Sequence, residues 1–303
     1  GGSGRVRKAL MDSLGVRKLP AAIGASGGSI QAMEWAALYP DYTERVVHII
    51  GPGFSISPWV IALLEAWAAP IKQDPKWNNG DYYGRAEPRD GVAQALKTVT
   101  LTTRHWGWAE KTFGYKPAIA DKSPAAALEN RYLIEDTLIK AGIARAATTD
   151  ANNYLYMAKA NQLFNVEEDL PRMKAKLLFV PAQSDLVFPP EFSRKAAERY
   201  KALGGSAEFF MIEGDGGHLD GAGRPAAEPD STASRCPTTR LARLSSILRS
   251  LSRSHSSILS TGTLVQRETT CATGSAVTSS STSAVPALLS VSPSFFSSSG
   301  MTP

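Results

Sequence analysis

The sequence predicts an α/β fold in which a parallel sheet is interrupted by a helical insertion. Short apolar segments alternate with helical segments in residues 5–57 and again after residue 172, the order expected when parallel strands are joined by helices. Residues 58–171 are helical in pattern and carry five of the six tryptophans, with no strand-like segment. The chain has 303 residues, of which 43% are hydrophobic, so it is long enough to bury a core of this kind.

Residues 1–57 are predicted to form the first part of the core. The predicted elements are a helix, a strand, a second helix and a second strand, at residues 5–15, 19–25, 27–39 and 45–50. Gly15 ends the first helix and Pro40 closes the second, because glycine favours the left-handed backbone of a helix end and proline cannot continue a helix. The strand between them is short and apolar, as expected for a buried parallel strand.

The helical residues 58–171 are interpreted as a lid, and the core is expected to resume in residues 172–221. Residues 176–181 (KLLFVP) and 208–212 (EFFMI) have the apolar and aromatic character of buried strands. The predicted organisation is therefore one core in two parts, with a lid inserted between them.

Composition changes sharply near Gly221. After Lys201 the sequence contains no Lys, Tyr, Trp or Asn, and from Ala222 onward about a quarter of the residues are Ser. Such a segment buries too little apolar surface to offset the entropy of ordering it. Residues 222–303 are therefore predicted to be a low-complexity, disordered tail.

The net charge and the positions of the cysteines argue against some classes of binding partner and metal site. The net charge is +5, but residues 1–221 hold 26 Lys and Arg against 25 Asp and Glu, which does not predict a nucleic-acid-binding face. Both cysteines, Cys236 and Cys271, lie in the tail, so no Cys-based metal site is expected in the core and a reducing, cytoplasmic setting is favoured. No apolar run reaches the roughly 18 residues of a membrane span. We expect the protein to bind no nucleic acid, no membrane and no metal ion.

The sequence around Ser26 has the pattern of a nucleophile elbow. The run from Gly24 to Gly28 (GASGG) matches G-x-S-x-G and lies between a predicted strand and a predicted helix. Small neighbours let strand and helix pass close together, which leaves the serine Oγ exposed and the Gly27 N–H available to an oxyanion. This context is that of an α/β-hydrolase core, and an ordinary glycine-rich turn is the alternative.

A nucleophilic serine needs a base and an acid, and in this fold the acid precedes the histidine in the chain. Asp185 follows the third predicted strand and His218 follows the fourth, so both are expected at the C-terminal edge of the sheet. Asp215 and Asp220 remain alternatives for the acid. The other histidines are interpreted as a core residue, a lid residue and a tail residue, namely His48, His105 and His255.

The residues around this elbow resemble those of the homoserine O-acetyltransferase family. Residues 31–36 (QAMEWA) and 39–41 (YPD) match the helix that follows the elbow in that family. Two lid segments, at residues 101–104 (LTTR) and 150–156 (DANNYLY), resemble further segments of it. The likeness covers most of residues 5–221, with the motifs in the family's order.

The resemblance implies a two-step acyl transfer without a bound cofactor. Ser26 would take an acetyl group from acetyl-CoA as co-substrate and pass it to the hydroxyl of homoserine, with His218 as base and then acid and Asp185 orienting it. Arg104 is implied as a ligand of the substrate carboxylate, and a solvated lid arginine is the alternative. Tyr154 is a weaker candidate for substrate binding, for which packing is the alternative. Small-molecule substrates and a homodimer are the expected partners.

Three positions depart from the family pattern. The family has Met after the nucleophile and Gly two places later, where this chain has Gly27 and Ser29. The family also has Asp directly after the catalytic histidine, a residue associated with the amino group of homoserine, where this chain has Leu219. Another acceptor, or water as in an esterase, is therefore the alternative. Because only one helix precedes Ser26, we expect the first strands of the fold to be missing, and an inactive fragment is a further alternative.

Overall fold

A computed structural model describes residues 2–222 and 288–291 of the chain. Its strands form one parallel sheet in the order β4-β3-β2-β1-β5. The strands are β1 (Ala22–Ala25), β2 (Arg45–Ile49), β3 (Lys176–Val180), β4 (Ala207–Phe209) and β5 (Leu288–Val291). The predicted α/β fold with a parallel sheet is therefore confirmed.

Helices connect these strands and fill the region between β2 and β3. They are α1 (Gly2–Ser13), α2 (Gly27–Leu38), α3 (Pro58–Gln73), α4 (Arg89–Thr102), α5 (Trp106–Thr112), α6 (Leu133–Ala146), α7 (Ala151–Gln162) and α8 (Pro190–Ala202). Three short 3₁₀ helices lie at Pro75–Gly80, Glu167–Arg172 and Gly217–Ala222. Among the helices described, none combines the length and apolar character needed to cross a membrane.

The register of the sheet brings three functional loops to one edge. Ala25 of β1 is paired with Ile49 of β2, which in turn is paired with Val180 of β3. The chain therefore leaves β1, β2 and β3 at the same level of the sheet. Loops at the carboxyl ends of parallel strands are the usual place for a ligand site in such folds.

The two larger hydrophobic cores of the described residues have different buried members. The first packs the sheet against α2 and α8, and its members include Met33, Phe179 and Tyr200. The second lies among α3, α4 and α7 and includes Trp67 and Leu96. An inserted block of helices with its own core explains why residues 58–171 show helical periodicity and no strand pattern.

The predicted and observed elements differ mainly at their ends. Strand β1 begins at Ala22, three residues later than predicted, and Leu19 forms only an isolated bridge with Thr43. Pro20 lies between these two stretches and has no backbone N–H to contribute to a ladder. Strand β4 ends at Phe209. Beyond it, the Phe210 N–H donates to the Phe179 carbonyl at 2.9 Å, and Ile212 forms an isolated bridge with Ala182.

The tail departs from its prediction at four residues. Leu288–Val291 forms β5 and pairs in parallel with β1, from Ala22 opposite Leu288 to Ala25 opposite Val291. These four residues are therefore a paired strand, which the edge of β1 favours because its backbone groups accept a further strand. For the rest of residues 222–303, disorder stays a prediction. Residues 223–287 and 292–303 lie outside the described residues. Within residues 2–222, no strand precedes β1.

Candidate active site

Ser26 occupies a strained turn between β1 and α2. Its backbone angles are φ 55° and ψ −122°, a conformation that costs an L-residue on the order of 1–3 kcal/mol. The turn is held because the Ser26 N–H donates to the Ile49 carbonyl at 3.0 Å. A β-carbon at Gly24 would lie 2.0 Å from the Gly28 carbonyl oxygen, so the first glycine of the motif is required for strand and helix to pass. The side chain of Ser26 is left partly exposed.

Three side chains form a hydrogen-bonded row at this turn. His218 Nε2 lies 2.8 Å from Ser26 Oγ, and His218 Nδ1 lies 2.7 Å from Asp185 Oδ2. The carboxylate can only accept, so Nδ1 carries the ring proton and Nε2 is left to accept the proton of the serine hydroxyl. His218 is 1% exposed and Asp185 is 2% exposed. The structure thus brings together the three residues that the sequence indicates as nucleophile, base and acid.

Asp185 is fixed by the loop that follows it. Its second oxygen, Oδ1, accepts the N–H groups of Val187 at 2.8 Å and Phe188 at 3.0 Å. Both of these residues belong to the second hydrophobic core, and the Phe188 ring lies 5.6 Å from the ring of His218. Asp185 is therefore held by the backbone N–H groups of two residues, and the side chains of those residues pack in the core of the helical insertion.

The two alternative acids have other partners. Asp215 forms an ion pair with Lys111, which holds the pKa of the Asp215 carboxyl below its usual value. Asp220 accepts the Gly216 N–H at 2.9 Å and so closes the loop before His218. The structure favours Asp185 as the acid because its carboxylate is the one that meets Nδ1.

His218 is positioned by the turn between α4 and α5. Its N–H donates to the Thr103 carbonyl at 3.0 Å. Gly217 has φ +72°, and a β-carbon there would lie 2.7 Å from the His105 nitrogen, so the two loops meet backbone to backbone. The Gly217 N–H also donates to Ser184 Oγ at 3.0 Å. The base is therefore held between the acid loop and the α4–α5 turn of the helical insertion.

Arg104 and Leu219 lie in the two segments that meet here. Arg104 follows Thr103 in the turn against which Gly217 packs, and its guanidinium carbon is 4.5 Å from the centre of the Trp108 ring. Leu219 directly follows His218 in a 3₁₀ helix and is partly buried. Both residues adjoin the backbone of the base, and their roles in binding a substrate stay predictions.

Tyr154 packs in the second core, and Asp150 caps the N-terminus of α7. Tyr154 is 3% exposed within the second core, and burial raises the pKa of its hydroxyl. Asp150 accepts the Asn153 N–H at 2.6 Å as the cap of α7 and also accepts the Tyr82 hydroxyl. For Tyr154 these contacts agree with packing, the alternative left open by the sequence. Its role in substrate binding stays a prediction.

Gly27 is the first residue of α2, where backbone N–H groups have no carbonyl partner within the helix. Its role as an oxyanion donor stays a prediction. Sequence reasoning missed the groups that hold the triad in place, namely the Thr103 carbonyl, the Val187 and Phe188 amides and the Ser184 hydroxyl. Most of these are backbone groups, which have no residue-type signature, and a single serine in a loop does not indicate a contact, so no pattern in the sequence points to them.

Comparison with known proteins agrees with this fold. The sequence profile described as the alpha/beta hydrolase fold matches residues 5–224. The chain belongs to the alpha/beta hydrolase fold family. Residues 26, 185 and 218 all lie within the matched region.

Similar proteins are named either as homoserine O-acetyltransferases or as esterases. A homoserine O-acetyltransferase of Symbiobacterium thermophilum is 35% identical over 223 residues, which are 71% of this chain and 57% of the relative. The crystal structure of esterase E22 superimposes with a TM-score of 0.66 at 36% identity, covering 72% of this chain and 61% of that one. A homoserine O-acetyltransferase from Bacillus anthracis gives a TM-score of 0.67 at 25% identity, covering 72% and 60%. The chain therefore spans less than two thirds of each of these relatives.

Proposed function

We propose that this chain carries a serine-dependent acyl-transfer site that works through an acyl-Ser26 intermediate. One observation supports this proposal above the others: the row from Ser26 through His218 to Asp185 lies on a strained turn at the carboxyl edge of the sheet. A serine hydroxyl with a hydrogen-bonded imidazole, itself held by a carboxylate, is the arrangement of an activated nucleophile.

The reaction follows from the geometry. Ser26 Oγ attacks the carbonyl carbon of an acyl donor while its proton passes to His218 Nε2, and the oxyanion that forms is stabilised by the Gly27 N–H. The imidazolium is held by Asp185 and returns the proton to the leaving group, which leaves the acyl group on Oγ. An acceptor hydroxyl then gives its proton to Nε2 and attacks the acyl carbon. The bond from that carbon to Oγ breaks, and His218 returns the proton to Oγ.

The first candidate acceptor is the hydroxyl of a small amino acid. Relatives at 30–35% identity are homoserine O-acetyltransferases, which favours acetyl-CoA as donor and a homoserine-like acceptor for this chain. Arg104 would bind the acceptor carboxylate, because a guanidinium matches a carboxylate with two parallel hydrogen bonds. A homodimer, a cytoplasmic setting and a place in methionine biosynthesis belong to this same proposal.

Water is the second candidate acceptor, and Leu219 favours it. An apolar side chain directly after the base offers no charge to the ammonium group of an amino acid, and burying that ammonium without a partner is costly. The relative at 36% identity is an esterase. Both candidates share the acyl-enzyme and differ only in the second step.

The first experiment tests the acyl-enzyme itself. We expect a fluorophosphonate to add once to the purified chain, and we expect Ser26→Ala to abolish the adduct in intact-mass spectra. Ser13→Ala is the matched control, since Ser13 is exposed at the end of α1 and should leave labelling unchanged. A folded parent chain that gives no adduct would overturn the proposed function.

The second experiment separates the two acceptors. Acetyl-CoA consumption that depends on added homoserine supports the transferase, and release of acetate at the same rate without homoserine supports the hydrolase. We expect Leu219→Asp to move the partition toward homoserine, because it places a carboxylate where an ammonium group would bind. The parent and the variant are compared by the ratio of acetylhomoserine to acetate formed.

A further inference from the structure

His48 lies beneath the nucleophile turn, outside the triad. It is in β2, paired in register with Gly24 of β1 and Phe179 of β3, and its side chain is fully buried. The Gly53 N–H donates to Nε2 at 3.1 Å, and Nδ1 lies 3.3 Å from the Ser29 carbonyl oxygen. One ring thus joins the turn after β2 to the first turn of α2.

The protonation state of this ring follows from its contacts. Burial lowers the pKa of His48 to about 4, and no charged side chain in the described part of the chain contributes to that shift. The ring is therefore neutral near pH 7, with one donor and one acceptor nitrogen. Because the Gly53 N–H can only donate, Nε2 is the acceptor, so Nδ1 carries the proton toward the Ser29 carbonyl.

Ser29 continues the connection to the nucleophile. Its side chain is fully buried, and its Oγ donates to the carbonyl of Ser26 at 2.5 Å. A β-carbon at Gly51 would lie 2.1 Å from Ser29 Oγ and 2.3 Å from Nε2 of His48. The turn after β2 is therefore pressed against both polar groups, and only glycine fits at that point.

The turn that His48 holds is itself strained and contacts the base loop. Ile50 has φ 42°, which is unfavourable for a β-branched residue, and Gly53 has φ +91°. Ile50 also packs against the 3₁₀ helix of His218, where a β-carbon at Gly221 would lie 2.3 Å from Ile50 Cγ2. Strain of this kind persists only where surrounding contacts over-determine the backbone.

We propose that His48 is a positioning residue for Ser26, which acts by holding the turn of residues 50–53 between the nucleophile turn and the loop of His218. The inference rests on the proposed function, since it concerns the reactivity of Ser26. Two links support it: the Ile49 carbonyl accepts the Ser26 N–H, and Ile50 touches the base loop. A shift of this turn would therefore move the nucleophile and the base relative to each other.

Two substitutions separate hydrogen bonding from space filling. His48→Leu keeps a buried side chain of similar size but removes the acceptor for the Gly53 N–H. His48→Gln keeps an amide oxygen near the position of Nε2. We expect His48→Leu to slow fluorophosphonate labelling of Ser26 on the order of 100-fold, as for a displacement of about 1 Å at a reacting group. We expect His48→Gln to recover most of that loss.

Hydrogen exchange of the segment containing Gly53 provides a readout that is independent of chemistry. Loss of its protection in His48→Leu, together with slow labelling and an unchanged global melting temperature, supports the proposal. Equal labelling rates in the parent and His48→Leu overturn it, as do equal losses in both variants, because the ring would then only fill space. A folded parent that does not label overturns the proposed function instead, and this inference with it.

Discussion

Proton transfer at Ser26 depends on which nitrogen of His218 carries the proton. Asp185 determines the position of that proton, because its Oδ2 accepts a hydrogen bond from Nδ1 while its Oδ1 accepts two backbone N–H groups. In Asp185→Asn the amide oxygen is expected to stay with those backbone donors, so the NH₂ group turns toward Nδ1. The ring must then carry its proton on Nε2, where it no longer accepts the proton of Ser26.

We therefore expect Asp185→Asn to lower kcat on the order of 10⁴-fold while the chain stays folded. The measurement is the rate of p-nitrophenyl acetate turnover and of fluorophosphonate labelling, with circular dichroism as the check on folding. Asp215→Asn is the matched control, since that carboxylate is exposed and paired with Lys111. An Asp215→Asn variant as slow as Asp185→Asn would contradict the assignment of the acid.

The members of the triad were predictable because each follows an apolar strand. Ser26 carries a motif, and Asp185 and His218 are placed by the strands before them, so residue type and chain order were sufficient to select them. Tyr154 shows the limit of such selection, since its motif match says nothing about whether the hydroxyl points to a site or into a core. His48 was correctly placed inside a strand, but its contact with Gly53 depends on a turn whose backbone angles no pattern indicates.

Among the elements, α2, β2 and β3 were predicted to within a residue or so. Their apolar runs are continuous, and their ends carry strong signals, such as Pro40 after α2. Strand β4 is shorter than predicted because its ladder with β3 covers only three residues, from Ala207 to Phe209. Apolar residues beyond that point, such as Phe210 and Ile212, are partly buried without continuing the strand. Apolar composition indicates that residues are buried, whereas a strand also requires a continuous ladder of backbone pairing with a neighbouring strand.

The helical insertion is an element whose function depends on contact with the core. Its second core includes Val187 and Phe188, which also supply the N–H groups that hold Asp185. Its α4–α5 turn accepts the His218 N–H through Thr103. The insertion therefore contacts both the acid loop and the base loop, which its helical sequence pattern does not indicate.

A strand from the tail, β5, pairs with the edge of β1 in the sheet. β1 carries the nucleophile turn and pairs with β2 on one side and with β5 on the other. In the described part of the chain, β5 is the strand that pairs with this edge of β1, and an unpaired apolar edge strand is a template for association between chains. The composition of the tail gives no sign of this, because four pairing residues are too few to alter a Ser-rich average.

Deletion of residues 288–291 tests whether this strand matters. Each backbone hydrogen bond contributes about 1 kcal/mol net, so losing a four-residue ladder should lower the free energy of unfolding by a few kcal/mol. We expect the deleted chain to melt earlier and to associate as its concentration rises, measured by thermal denaturation and by light scattering after size exclusion. Deletion of residues 297–300 is the control of equal length. If both deletions leave a monomer of unchanged stability, the edge of β1 needs no strand from the tail, and the nucleophile turn is held by β2 and α2 alone.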